Sequence, residues 1–519
     1  MIDRWPAIAA IALCLTALVI ADQTPREQPP DYLAEQPALM PLGSSSDSLG
    51  SAWYCPAGLA TLDGALDHVV IMTNPSDETA EGTLTVYPAV PDGFGASTPA
   101  EAVERPLEIP AGAQTRISLG ALLPEDPVFI NAVEIYIAAL LEVATPGMIV
   151  EHSVVGPTGT DLGPCSSTAA SSWHFASGTT QGGVRDLIAL MNPFPGSASV
   201  DISFPNDSGA RRPTAYDGLV LPPRSVTMLD VRNHVPTWEQ MATTVETRSG
   251  RVIVERLQVF DEDEGPKGAT LTLGAPVPTT QWFFPAGRFA EGQAESYVIY
   301  NPNEDAAEVE MEVQFDNADL AIRQELTVRG GTRVVVLLDA SDQHPISEAP
   351  GGIVRLTPQM EANPGQYWVS VRGFNDVGVV VERLTSQVDP AGQGMTAVMG
   401  APLAGVGAHV AIPVNEIAGA APKLVLLNPA GNTIARVTVS ALAGGETTEI
   451  LEVELGPRSR AVADLASTLP PGAVALTIDS TQAVMAELSL VGESGSIATM
   501  AVPVTDGAVA PSFSVTSGG

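Results

Sequence analysis

The chain has 519 residues, including 48 glycines and 44 prolines, and only 5% of it is aromatic. Sixty acidic side chains against 24 basic ones give a formal charge of −36, and only two of the bases are lysines, Lys267 and Lys423. Without a basic stripe to neutralise phosphates, nucleic acid and other anionic polymers are poor ligands. A prior of about 100–200 residues per domain predicts three to five domains.

At the N-terminus, Arg4 precedes a run from Ala7 to Ala21 that is apolar except for Thr16. A run of 15 residues suits a signal-peptide core better than a bilayer span, which needs about 20. Trp5 and Pro6 lengthen it, so two readings of residues 1–21 stand side by side, a signal peptide and an uncleaved membrane anchor. Either one exports the remainder. Leu13 stands where a lipoprotein signal at Cys14 needs a small residue, and lipidation is not expected. Residues 22–50 read as a Pro/Ser-rich linker.

Beyond the linker an ordered set of landmarks recurs. Trp53, Trp173 and Trp282 precede Asn-Pro pairs at Asn74, Asn192 and Asn301 by 21, 19 and 19 residues, and His409 precedes Asn428 by 19. A Pro/Gly turn and an apolar strand follow each pair, and each copy ends in a strand bearing a glutamate: Glu151, Glu255, Glu382 and Glu487. A period of roughly 110–130 residues marks tandem domains rather than a solenoid. In Ala307–Phe315, Val309, Met311, Val313 and Phe315 alternate with polar residues as a half-buried strand requires. Seven or eight such strands per copy predict an all-β chain of four tandem immunoglobulin-like β-sandwich domains. The expected boundaries are 51–170, 171–279, 280–406 and 407–510, with a tail at 511–519.

Each landmark has a structural reading. Asparagine before proline bonds its own turn while proline ends the ladder, and tryptophan near the first strand plugs a small core. A ligand role for the tryptophans is the alternative. The fourth copy has His409 in that slot, so its core is filled differently. Alternation puts Glu255 on the face of Ile253 and Leu257, and Glu382 on that of Val380 and Leu384. A buried carboxylate needs a partner: the tryptophan indole, the asparagine, or backbone N–H groups. Glutamine is expected to serve at Glu255 if the group only accepts a neutral hydrogen bond. Cys55 and Cys165 bracket the first copy and form a disulfide if its first and last strands meet, free buried thiols being the alternative. Closing such a loop stabilises by about 4–5 kcal/mol.

Catalytic signals are absent from the sequence pattern. His68, His152, His174, His234, His344 and His409 lack metal-ligand spacing, and there is no nucleophile elbow or phosphate loop. The acidic run 261–265 lacks the spacing of a calcium loop and reads as a solvated hairpin tip. No cofactor, metal or catalytic residue is assigned.

The order of tryptophan, Asn-Pro, Pro/Gly turn and Val-Glu-Arg behind an export segment resembles an uncharacterised family of exported actinobacterial proteins with tandem immunoglobulin-like repeats. That resemblance implies a role in cell-envelope glycan assembly, because such proteins are encoded near envelope glycosyltransferases and sugar-phosphate enzymes. The chain is therefore expected to be a non-enzymatic envelope scaffold, a rod of four sandwiches whose partner is a membrane or envelope protein such as a glycosyltransferase. The alternative is a carbohydrate-binding or adhesive module whose partner is a cell-wall glycan; Trp238 and Trp368 are the aromatic residues left for it. From asparagine to glutamate the copies measure 77, 63, 81 and 59 residues. The extra sequence in copies one and three, at 89–104, 127–143 and 342–368, is expected to emerge as loops, with binding as one reading and tolerated growth without function as the other.

Overall fold

A computed structural model describes Pro41 and residues 50–504, apart from 94, 157–158, 207–208, 238–239, 262–266, 317–319, 340–351, 364, 389–392, 403–406, 416–420 and 493–494. The export segment, most of the linker, Trp238, His344 and the tail lie outside the described residues. So does most of the acidic run, between the paired strands Ile253–Asp261 and Lys267–Leu273. The described chain is almost entirely β, arranged as successive pairs of sheets that are antiparallel except where Ile353–Arg355 joins Thr332–Asp339 in parallel, with short helical turns.

One plan serves every pair. The inner sheet runs from a closing strand to the glutamate strand, the Asn-Pro strand and the strand after the Pro/Gly turn. In the first pair these are Gly159–Pro164, Ile149–Gly156, Asp67–Asn74 and Ala113–Ser118; in the second, Lys267–Leu273, Ile253–Asp261, Arg185–Asn192 and Ser225–Asp230. The third uses Gln393–Met399, Val380–Val388, Gln293–Asn301 and Thr332–Asp339. The fourth uses Gly495–Met500, Ala473–Gly492, Ala421–Asn428 and Ser459–Asp464. The outer sheet carries the first strand: Ser51–Cys55, Ser172–Phe175, Gln281–Phe289 or Gly407–Pro413. In the fourth pair a single run, Ala473–Gly492, serves both sheets, where the first pair breaks the chain into Ile135–Val143 and Ile149–Gly156.

The tryptophan slot is set by register. Trp53 lies opposite Leu141, Trp173 opposite Val245, and Trp282 opposite Val371 and Pro402. In the fourth pair Val410, opposite Ile478 and Pro503, holds that slot. His409 is one residue out of step and pairs with Asp479 at the surface, 2.6 Å away. Alternation on a strand turns a one-residue offset into the opposite face. The small Val410 takes the position that three indoles fill elsewhere.

The described residues fall in one compact unit, and its contacts correct the expectation of a rod. The closing strand of the first pair packs on that of the second, the second on the third, the third on the fourth, and the fourth returns to the first. These four strands surround a narrow cavity of about 60 Å³, lined by Leu162, Leu271, Ala397 and Ala498 and touched by Pro41. Close approach requires glycine here. A Cβ on Gly268 (φ +148°) would lie 3.0 Å from the Met395 amide nitrogen.

Two expected loops prove structural. Ile135–Val143 is a buried strand between the first strand and Ala80–Pro91, which is why it is so apolar. In 342–368, residues 340–351 and 364 lie outside the described part. The rest supplies the strand Ile353–Arg355, a short helix with buried Met360, and the start of Gly365–Gly373 with buried Tyr367 and Trp368. Shortening this segment would remove core. The 89–104 segment forms the hairpin strand Ser97–Pro99, whose Ser97 Oγ accepts from the Met228 amide of the second pair at 2.8 Å.

Candidate functional site: junction carboxylates and a cleft

The asparagines of Asn-Pro end their strands and pin the following turn. Asn192 Nδ2 donates to the carbonyls of Gly196, Leu221 and Pro222 at 2.8, 3.3 and 3.0 Å, and its Oδ1 accepts from the Phe194 amide at 3.2 Å. Asn74, Asn301 and Asn428 repeat this pattern. All four are buried. Asn192→Ala is expected to destabilise the second pair by about 1–3 kcal/mol, the scale for orphaning buried carbonyls; an unchanged denaturation midpoint would show that water replaces the amide. The indoles are engaged locally: Trp173 Nε1 donates to Val252 O at 2.9 Å, Trp282 Nε1 to Val379 O at 2.7 Å, and Trp53 Nε1 to Ser51 Oγ at 3.3 Å. Cys55 and Cys165 are disulfide-bonded with their Cα atoms 4.7 Å apart, joining the end of the first strand to the chain just past the closing strand.

The recurring glutamates meet neither the indoles nor the asparagines of Asn-Pro. Each is buried and reaches into a neighbouring sheet pair. Glu255 accepts from the Ala57 amide at 3.0 Å and lies 2.9 Å from His152 Nε2. Glu382 accepts from the Ala176 amide at 2.7 Å, from Ser177 Oγ, and from Arg256 Nη2 at 2.8 Å. Glu487 accepts from the Ala286 amide at 3.2 Å and from Arg383. Glu151 completes the circuit, accepting from Asn415 Nδ2 and Thr499 Oγ1, both at 2.9 Å. The basic side chain at three of the links is the residue after the preceding glutamate: His152, Arg256 and Arg383. Leu488 takes that place after Glu487, so Glu151 faces no such cation.

These differences have electrostatic consequences. Burial pushes the Glu151 carboxyl up to about 7, against the two hydrogen bonds that favour its charge. Burial likewise lifts Asp186, beside Arg256, to about 6. At the histidine link, His68 is buried and held well below its usual range, hence neutral, by burial and then by His152. His68 Nδ1 lies 2.9 Å from the Ile137 carbonyl and must carry the proton. Its Nε2 then accepts from His152 Nδ1 at 2.8 Å. One proton remains between His152 Nε2 and Glu255 Oε1.

Between the third and fourth pairs the inner sheets part into a cleft of about 330 Å³. Along one wall Glu295, Thr385 and Thr396 lie directly opposite one another on successive strands; along the other run Lys423, Ser489 and Ala498. Glu295 Oε1 accepts from Tyr297 OH at 2.5 Å and Tyr367 OH at 2.8 Å, and burial raises its carboxyl above the usual range. Arg383 and Arg460 are held at the wall. Arg383 is bound to Glu487 and the Ala286 carbonyl, and Arg460 to Asp316 at 2.6 Å and the Pro285 carbonyl at 2.8 Å. Trp368 is no exposed platform: it is buried, with Arg458 over its ring at 5.4 Å. Sequence spacing gave no signal for this cleft, because its walls come from several separate segments scattered between Ala286 and Ala498.

The comparisons add little about chemistry. A family model described as a family of unknown function (DUF5719) matches residues 144–275, so that part of the chain is similar to an uncharacterised domain family. The matched span contains both His152 and Glu255. No curated protein matches the chain. Among solved structures, "Crystal Structure of Thermotoga maritima 1070" is 17% identical, covering 24% of this chain and 93% of that one, with a TM-score of 0.18. "Crystal structure of tetra-tandem repeat in extending region of large adhesion protein" is 10% identical, covering 86% and 100%, with a TM-score of 0.07. At these scores neither likeness bears on the fold. No helix among the described residues is long and apolar enough to cross a membrane.

Proposed function

We propose that the chain is an exported, non-enzymatic scaffold of the cell envelope, in which four immunoglobulin-like sandwiches are locked together and hold a partner or ligand at the cleft between the third and fourth. The observation that carries this reading is the use made of the recurring carboxylates: each ties one sheet pair to another, which makes a stiff frame on which loops and clefts are presented. The disulfide suits an oxidising compartment, and residues 1–21 would supply the export signal or anchor. An envelope glycosyltransferase is the partner class that the family resemblance favours. The cleft, with its hydroxyls and cations, favours glycan binding as the second reading.

Fractionation of cells producing the tagged chain tests this. The chain is expected outside the cytoplasm, with Cys55 linked to Cys165 in non-reducing peptide maps, and crosslinked there to a membrane enzyme of envelope assembly. A cytoplasmic pool with free thiols at both positions would overturn it.

A further inference from the structure

We infer that the cleft between the third and fourth sheet pairs binds a small organic anion whose carboxylate or phosphate sits on a hydroxyl-bearing body. In a chain of formal charge −36, four cations, Arg288, Arg383, Lys423 and Arg460, line this single cleft against two carboxylates, Glu295 and Glu487. The four differ in what they already do. Arg383 and Arg460 are fixed by the protein contacts described above, and Arg383 keeps its Nε without a hydrogen-bond partner. The Arg288 and Lys423 side chains are exposed and form no ion pair or hydrogen bond with any described residue. Asp464 lies directly across the ladder from Lys423, yet no ion pair closes between them.

Arg288 comes from the first strand of the third pair and Lys423 from the Asn-Pro strand of the fourth, so an oxyanion between them would be gripped from both sides. Bidentate recognition by arginine and a point charge from lysine suit carboxylate and phosphate alike. Thr385, Thr396, Ser489 and Gln293 offer hydroxyl and amide partners further in, and Val425 and Val462 supply an apolar patch. The volume admits a monosaccharide-sized molecule or the end of a chain. The net charge that argues against anionic ligands over the whole surface therefore does not describe this site.

This inference deepens the binding reading above and rests on it. Calorimetric titration of the full chain with glucuronate, glucose 6-phosphate, glucose and inorganic phosphate tests it. At least one of the two sugar acids is expected to bind, with glucose and inorganic phosphate each at least about tenfold weaker; the better acid identifies carboxylate or phosphate as the source. Lys423→Gln and Arg288→Gln should each weaken binding by about tenfold or more without shifting Tm, and added salt should weaken it too. No binding of either acid at millimolar concentration, equal binding of glucose, or variants that bind as tightly as the parent would each overturn the ligand class. A flat titration with the chain exported and disulfide-bonded removes this inference alone, whereas a cytoplasmic, reduced chain removes the scaffold reading.

Discussion

Replacing Glu382 by glutamine is expected to lower stability by about 3–5 kcal/mol, the cost of leaving a buried charge without its counter-charge. Arg256, fully buried, sends one nitrogen to Glu382 and another to the Ser177 carbonyl, and lies against the Phe175 ring at 5.3 Å. Its Nε has no hydrogen-bond partner, and Asp186, the other carboxyl beside it, bonds to the Thr179 amide and Gln258 rather than to the guanidinium, so no hydrogen-bonded counter-charge remains once Glu382 is replaced. Glutamine keeps the shape but brings an NH2 group into a site where the Ala176 amide, the Ser177 hydroxyl and the guanidinium all donate. One donor must then face another. Removing the charge as well, in Arg256→Met with Glu382→Gln, should recover most of the loss. The readout is the midpoint of the first urea transition, and a single variant costing less than about 1 kcal/mol would mean that the pair is solvated.

How much of this was legible depends on range along the chain. Alternation in Ala307–Phe315 specifies a strand from its own residues, and Asn-Pro specifies its turn through contacts two to five residues away, though the same amides also hold carbonyls of the later Pro/Gly turn. The tryptophan slot was legible where an indole marks it. In the fourth copy, counting 19 residues back from Asn428 lands on His409, because spacing is blind to register and Val410 carries no mark of its own. The run at 127–143 looked like an insertion because its length differs between copies, yet its second half, Ile135–Val143, is a buried central strand, while Val128, Ile130 and Val133 ahead of it are exposed. The carboxylate links span 103 residues in one case and 206 in another, beyond any local pattern. One signal was present: Glu-His, Glu-Arg and Glu-Arg recur, and alternation sends neighbouring side chains to opposite faces. Such a strand can meet one neighbour with its glutamate and the next with its cation. The fourth dipeptide, Glu-Leu, marks the link that lacks a cation.

At that link glutamine should act in the opposite direction. Glu151 accepts from Asn415 and Thr499, with Arg116 acting on it from beyond Asn415, whose Oδ1 it holds at 3.0 Å, and burial raises the carboxyl from the usual 4.5 to about 7. Because the folded value is raised, the protonated carboxyl stabilises the fold, fully below about 4.5 and progressively less as the pH rises through about 7. At roughly 1.4 kcal/mol per unit, the loss between those limits is of order 3 kcal/mol. Glu151→Gln removes the titration: its oxygen accepts from Asn415 Nδ2, and its NH2 donates to the Thr499 hydroxyl, which can turn from donor to acceptor. The variant is therefore expected to match or exceed the parent at pH 8, where the parent holds a buried charge, and to lose that advantage at pH 5. Asp186, raised to about 6, contributes a slope of the same sign in both proteins and cancels in the comparison. Urea denaturation of both at pH 5, 6.5 and 8 checks this. A parent that gains stability over the variant as the pH rises would show that Glu151 is better satisfied as the anion, and that a cation or water completes the link between the first and fourth sheet pairs.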